Sequence, residues 1–196
     1  MMKFKKNYFL YTVIFIFLVL LSLSGTIMSQ VSEPKFKVVA SHGNIEIREY
    51  DPILVAQVKV GGERKNAISE GFKILADYIF GNNVSRQKIN MTAPVIQQES
   101  KDGGYWHIRF VMPFEYLPRP NNSQIELLAV LAKCYAVIRF SGLASQDSLQ
   151  KHLERLRKYV KVEKIHPTGD PIFAFYNPPW TMPFLRRNEI MIEVKK

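Results

Sequence analysis

The sequence predicts an α+β fold, one curved antiparallel sheet or barrel with two helices packed against it. Three observations predict it. Short stretches of alternating apolar and polar residues recur between turn residues, as half-buried strands require. Two longer stretches carry their apolar residues at helical spacing instead. The order strand, helix, strand, strand then occurs twice along the chain, in pattern and without residue identity.

The elements follow in order. Residues 35–40 and 45–50 alternate and flank a turn at His42, Gly43 and Asn44. Asp51 and Pro52 break the chain, and residues 53–60 form the next strand, ended by Gly61 and Gly62. Over residues 63–80 the period becomes helical, with Ile68, Phe72, Leu75 and Ile79 on one stripe and Gly81 as the closing cap. Residues 93–98 and 105–112 flank the hairpin turn Asp102, Gly103, Gly104. A loop rich in Pro and Asn spans 113–123. Residues 125–131 and 135–140 are strands, and Ser145 caps a helix to about Lys161 that lines up Leu149, Leu153, Leu156 and Val160. Strands at 172–176 and 189–194 surround the proline-rich stretch 177–184.

Composition narrows the function. With 196 residues, 47% hydrophobic and 22% charged, the chain is globular, neither disordered nor collagen-like. Its one cysteine, Cys134, excludes an intramolecular disulfide framework, a CxxC pair and a thiolate zinc cluster. Lys3, Lys5 and Lys6 precede an apolar run over residues 8–23, followed by Ser22, Ser24 and Gly25. That is the pattern of a secretory signal peptide or, because the run approaches a bilayer span, of an uncleaved signal anchor over residues 8–28. Residues 1–30 are therefore expected to direct export, leaving 31–196 periplasmic, secreted or membrane-anchored. They take three lysines and no acids with them, lowering the formal net charge from +10 to +7.

Motifs of catalysis are absent: there is no Walker loop, GxSxG, HExxH or CxxCH. The four histidines, His42, His107, His152 and His166, have no metal-ligand spacing. His152 reads as part of a solvated helix face, and Cys134 as a small buried hydrophobe. Lys151, Arg155, Arg157, Lys158, Lys161 and Lys164 form a basic cluster. Asp147, Glu154 and Glu163 interleave with it and no stacking aromatics accompany it, so a nucleic-acid partner is not expected.

Specific sequence appears in four places: Ile45-Glu46-Ile47-Arg48-Glu49-Tyr50; Tyr78-Ile79 with Gly81 and Asn83; Lys88-Ile89-Asn90-Met91-Thr92-Ala93-Pro94-Val95; and Tyr176 through Pro179-Trp180 to Arg186-Arg187-Asn188-Glu189. With the Phe140-Ser141-Gly142 break, these resemble the SOUL haem-binding family, in order over nearly all of the exported chain. The resemblance implies a distorted eight-stranded antiparallel barrel built from two β-α-β-β halves and flanked by two long helices. It implies non-covalent binding of haem or another tetrapyrrole, without a reaction.

Carried over residue by residue, the resemblance places the haem in a surface groove beside the first helix, with Phe72, Ala76 and the cation Lys73. Ser69 stands where some members carry an arginine, and Glu49 where some carry an axial histidine. Haem is thus expected without a protein axial ligand, or with His42 substituting at the iron. Arg186 and Arg187 match the family pattern as carboxylate clamps; equally, one would pair with Glu189 or a chain turn. Met91 and Met182 read as core filler, and Trp180 and Phe184 as caps on the barrel. Two other functions fit the same outline. One is a hydrolase or isomerase using the barrel cavity, which needs a buried Glu or Tyr of perturbed ionisation. The other is a membrane-surface protein docking through the basic second helix.

Overall fold

In the computed structural model, residues 31–113 and 117–195 are described. The expected export segment, residues 1–30, lies outside them. The strands are β1 (Phe36–His42), β2 (Ile45–Tyr50), β3 (Ile53–Gly61), β4 (Val95–Glu99), β5 (Tyr105–Met112), β6 (Glu126–Val130), β7 (Lys133–Phe140), β8 (Ile172–Phe175) and β9 (Asn188–Val194). Helix α1 (Arg64–Ile79) follows β3 and helix α2 (Gln146–Val162) follows β7. A short 3₁₀ turn, Pro183–Leu185, precedes β9.

All strand pairings are antiparallel and make one sheet in the order β1-β2-β7-β9-β8-β4-β5-β3-β6. The sheet curls into a half-barrel of nine strands, not a barrel of eight. The physical reason is at its ends: among the described residues β1 pairs only with β2, and β6 only with β3, so the sheet does not close on itself there.

Alternation along the strands sorts residues onto two faces. Both helices cover one of them. Leu75, Tyr78 and Ile79 of α1 pack with Val58, Ile108 and Phe110. Leu149, Leu153, Leu156 and Val160 of α2 pack with Ala136, Ile138, Ile190 and Ile192. Gly71 lets α1 approach β5 closely, since a Cβ there would lie 2.9 Å from Cγ1 and Cδ1 of Ile108. The caps form where the sequence places them. Ser145 Oγ accepts from Ser148 N at 3.3 Å, and Gly81 turns the chain after α1 with φ of +116°.

The quoted sequence stretches fasten this frame. Asn83 is fully buried; its amide donates to Tyr78 O and Gln87 O, and its Oδ1 accepts from Gln87 N. Tyr78 Oη donates to Pro118 O at 2.8 Å, and Thr92 Oγ1 donates to Val111 O.

Three expectations are corrected on this frame. Trp180 and Phe184 do not cap the sheet: they are 83% and 71% exposed. Met91 and Met182 are exposed as well and fill no core. The prolines hold 177–185 as a projecting loop, fastened through backbone carbonyls by Arg186 rather than by its apolar side chains. His152, expected on a solvated face, is half-buried and stacks on the Phe140 ring at 3.9 Å.

Candidate functional site

The face away from the helices carries a third apolar cluster, with Tyr50, Tyr135, Val137, Ala174 and Met191. Within it, β2 and β9 bring Arg48 and Glu189 together, both buried. Glu189 accepts from Arg48 Nη1 (2.9 Å), Tyr176 Oη (2.8 Å) and Arg187 Nε (3.1 Å). Arg48 also binds Glu46 at 2.6 Å, and Arg187 binds Glu33 at 2.9 Å and lies 3.5 Å over the Tyr176 ring. Burial opposes the charge on Arg48, but Glu189 and Tyr50 outweigh it and raise its pKa. Burial and the Glu189 carboxylate push the Tyr176 and Tyr50 phenols upward. The buried Glu and raised tyrosines that an acid–base catalyst needs are thus present, but the carboxylate is saturated by three donors.

Beside this network lies a hollow of about 410 Å³, with Val55, Ile96, Leu128, Val130 and Ile172 in its walls and Arg109 among its lining residues. A smaller space of about 50 Å³ shares Ile53, Ile96, Tyr135 and Ile172 with it. Burial pushes Tyr135 up to about 12. His107 sits two residues from Arg109 on β5, half-buried, and burial with Arg109 and Lys59 lowers its pKa.

The residues expected around haem stand elsewhere. Ser69, Phe72, Lys73 and Ala76 share the outer face of α1, where helical spacing also places Lys65 and Phe80. Phe72 is 40% exposed and rests edge-on against Phe110, ring centroids 5.2 Å apart. This stripe exposes the Phe72 and Phe80 rings beside the Lys65 and Lys73 ammonium groups, and it has no histidine. His42 is not brought to it: it stands on edge strand β1, stacked 5.8 Å from Tyr159 of α2, whereas α1 lies over β3 and β5. Arg187 is taken up by Glu189 and Glu33, and Arg186 donates to Thr181 O and Pro179 O. Both arginines thus meet the protein itself, from the two residues between the 3₁₀ turn and β9. Among the described residues no group of three or more His, Cys, Asp or Glu is placed to hold a metal.

Sequence reasoning missed Glu189 as a centre of charge and Arg109 altogether. In the sequence Glu189 closes the Arg186-Arg187-Asn188-Glu189 motif and reads only as a partner for an arginine.

A curled antiparallel sheet with both helices on one face and an apolar, arginine-bearing hollow on the other defines an α+β half-barrel module. More narrowly, the chain belongs to the SOUL heme-binding protein family, whose model matches residues 31–193. It is similar to heme-binding protein 2 of Homo sapiens, 31% identical over 160 residues that cover 76% of this chain and 78% of that protein. Its fold resembles the crystal structure of the EcmrR C-terminal domain, with a TM-score of 0.62 at 15% identity, covering 78% of this chain and 97% of that one. It also resembles a hydrolase from Listeria innocua, with a TM-score of 0.58 at 10% identity, covering 80% and 94%. These two likenesses concern the fold alone.

Proposed function

We propose that the protein is an exported, non-covalent binder of haem or another tetrapyrrole, without a reaction of its own. Membership of the SOUL heme-binding family is the observation that carries the reading. The seat is the outer face of α1, where the ring lies on Phe72 and Ala76 beside Ser69, and Lys73 with Lys65 meets the propionates. No axial ligand comes from this helix. Export rests on the lysine-flanked apolar run before residue 31, and the N-terminus of the mature protein tests it.

A groove of about 550 Å³ at the end of α2 meets the same chemical requirements. Val160, Ile165 and Ile192 line it together with Lys161, Lys164 and His166. One hemin titration of the full-length protein, read in the Soret band, separates the seats. Phe72→Ala is expected to weaken binding roughly 10- to 100-fold, the equivalent of about 1.5–3 kcal/mol for an aromatic side chain returned to water. Lys73→Glu weakens it further, and His166→Ala leaves it unchanged. A loss confined to His166→Ala moves the seat to the α2 groove, and no saturable Soret change at micromolar protein removes the haem reading.

A further inference from the structure

Three arginines lie on the helix-free side of the sheet, Arg48 buried and Arg109 and Arg187 half-buried, and two of them are neutralised. Arg48 meets Glu189 and Glu46; Arg187 meets Glu189 and Glu33. Arg109 meets no carboxylate among the described residues. Its Nε donates to Gln57 Oε1 at 2.6 Å and its Nη1 to Gln98 Oε1 at 2.9 Å, while Nη2 donates to no described residue. Burial lowers its pKa, offset in part by Tyr135. A guanidinium cannot escape burial by losing its proton, so a counter-anion stabilises it.

The two glutamines make Arg109 a fixed donor rather than a flexible one. Gln57 is buried and its Nε2 donates to Glu126 at 3.1 Å; Gln98 Nε2 donates to Asp170 O at 3.2 Å. Each amide oxygen is thereby turned toward the guanidinium. Lys133 lines the same hollow but is paired with Glu193 at 2.6 Å, so Arg109 sets the sign of the charge there. The rest of the wall is mostly aliphatic, with Val55, Ile96, Leu128, Val130 and Ile172, and it also holds the Tyr135 phenol and the Glu193 carboxylate that Lys133 neutralises. At about 410 Å³ the hollow lies within the roughly 300–1,000 Å³ of small-molecule sites.

We infer that this hollow is a second binding site, for an apolar carboxylate. The acid group meets the Nη2 side of Arg109, and the hydrocarbon lies on the aliphatic wall. A fatty or aryl monocarboxylate satisfies both halves of the site. An apolar cation meets Arg109 unfavourably, and an alcohol leaves it without its anion. The site is independent of the haem seat, which is on the helix-covered side of the sheet.

Titration calorimetry of the full-length protein with decanoate tests the assignment, with decanol as the neutral comparator. Decanoate binds saturably, one per chain, and at least tenfold more tightly than decanol. Arg109→Met brings decanoate down to the level of decanol and leaves decanol unchanged. Because that variant also loses two hydrogen bonds to glutamine, a second one fills the hollow without touching the arginine. Leu128→Trp, at a half-exposed position of edge strand β6, weakens both ligands and leaves the hemin titration as it was. Equal affinities for decanoate and decanol overturn the inference, as does undiminished decanoate binding to Arg109→Met. Displacement of decanoate by equimolar hemin overturns it too, by merging the two sites.

Discussion

Glu189→Gln tests whether the buried carboxylate holds the helix-free face together. The substitution keeps the shape and removes the charge. In the wild type, Oε2 accepts from Arg48 Nη1 and Tyr176 Oη, and Oε1 accepts from Arg187 Nε. A glutamine offers one oxygen and one NH₂. If the oxygen keeps Arg48 and Tyr176, the NH₂ faces the Nε–H of Arg187, donor against donor. One charge-assisted bond, about 1.5–3 kcal/mol, is then lost outright and two are weakened. Removing one partner of a buried pair costs about 3–5 kcal/mol in general. Here Glu46 and Glu33 still hold the two guanidinium groups, which puts the expected loss near the lower end, about 3 kcal/mol. Urea unfolding followed by far-UV circular dichroism measures it. Arg48→Met alone is expected to cost a similar amount. The double variant should cost less than the two together by about 0.5–3 kcal/mol, because each single change strands the other group. A loss below about 1 kcal/mol for Glu189→Gln, or strict additivity, refutes the reasoning.

Two further outcomes follow from packing and from ionisation. Gly71→Ala presses a methyl group against Ile108, at about 1–3 kcal/mol for overpacking, against roughly 1 kcal/mol gained in helix propensity, so the urea midpoint falls; a rise would show that β5 yields freely. Ile108→Val in the same background recovers part of the loss. At alkaline pH the folded chain holds its phenolic protons more tightly than the unfolded one, because Tyr50, Tyr135 and Tyr176 are raised above 10.0 by burial first. Their contribution to stability is therefore complete below about pH 10 and is lost as pH rises, for Tyr135 through about pH 12. Urea midpoints across that window, with tyrosinate absorbance, check this; a midpoint that rises with pH contradicts it.

How much of this was legible in the sequence depends on what each residue answers to. The helices were legible because Leu149, Leu153, Leu156 and Val160 obey a period that only a one-sided burial requires, and α2 buries those four. The nine strands were legible one by one, yet the count of eight implied by resemblance was not met, since a pairing such as β1 with β2 alone is decided by edges. Of the residues that made the family recognisable, Tyr78, Asn83, Thr92 and Glu189 are buried hydrogen-bonding fasteners of the frame, whereas Met91 and Trp180 are exposed. A recognisable sequence therefore identified the scaffold more sharply than the ligand seat. Phe72 and Lys73 lie on an exposed helix face, where packing constrains identity least. Arg109 was illegible for a different reason. Its significance is the carboxylate that does not face it, while Arg48 has Glu189 across the sheet. That contrast arises from register: β5 sets Arg109 opposite Gln57, and the order of the sheet carries Glu189 to Arg48 from a strand 141 residues away. The same alternation that sets Arg109, held by Gln57 and Gln98, beside the aliphatic side chains of the hollow is what gives the hollow its sign.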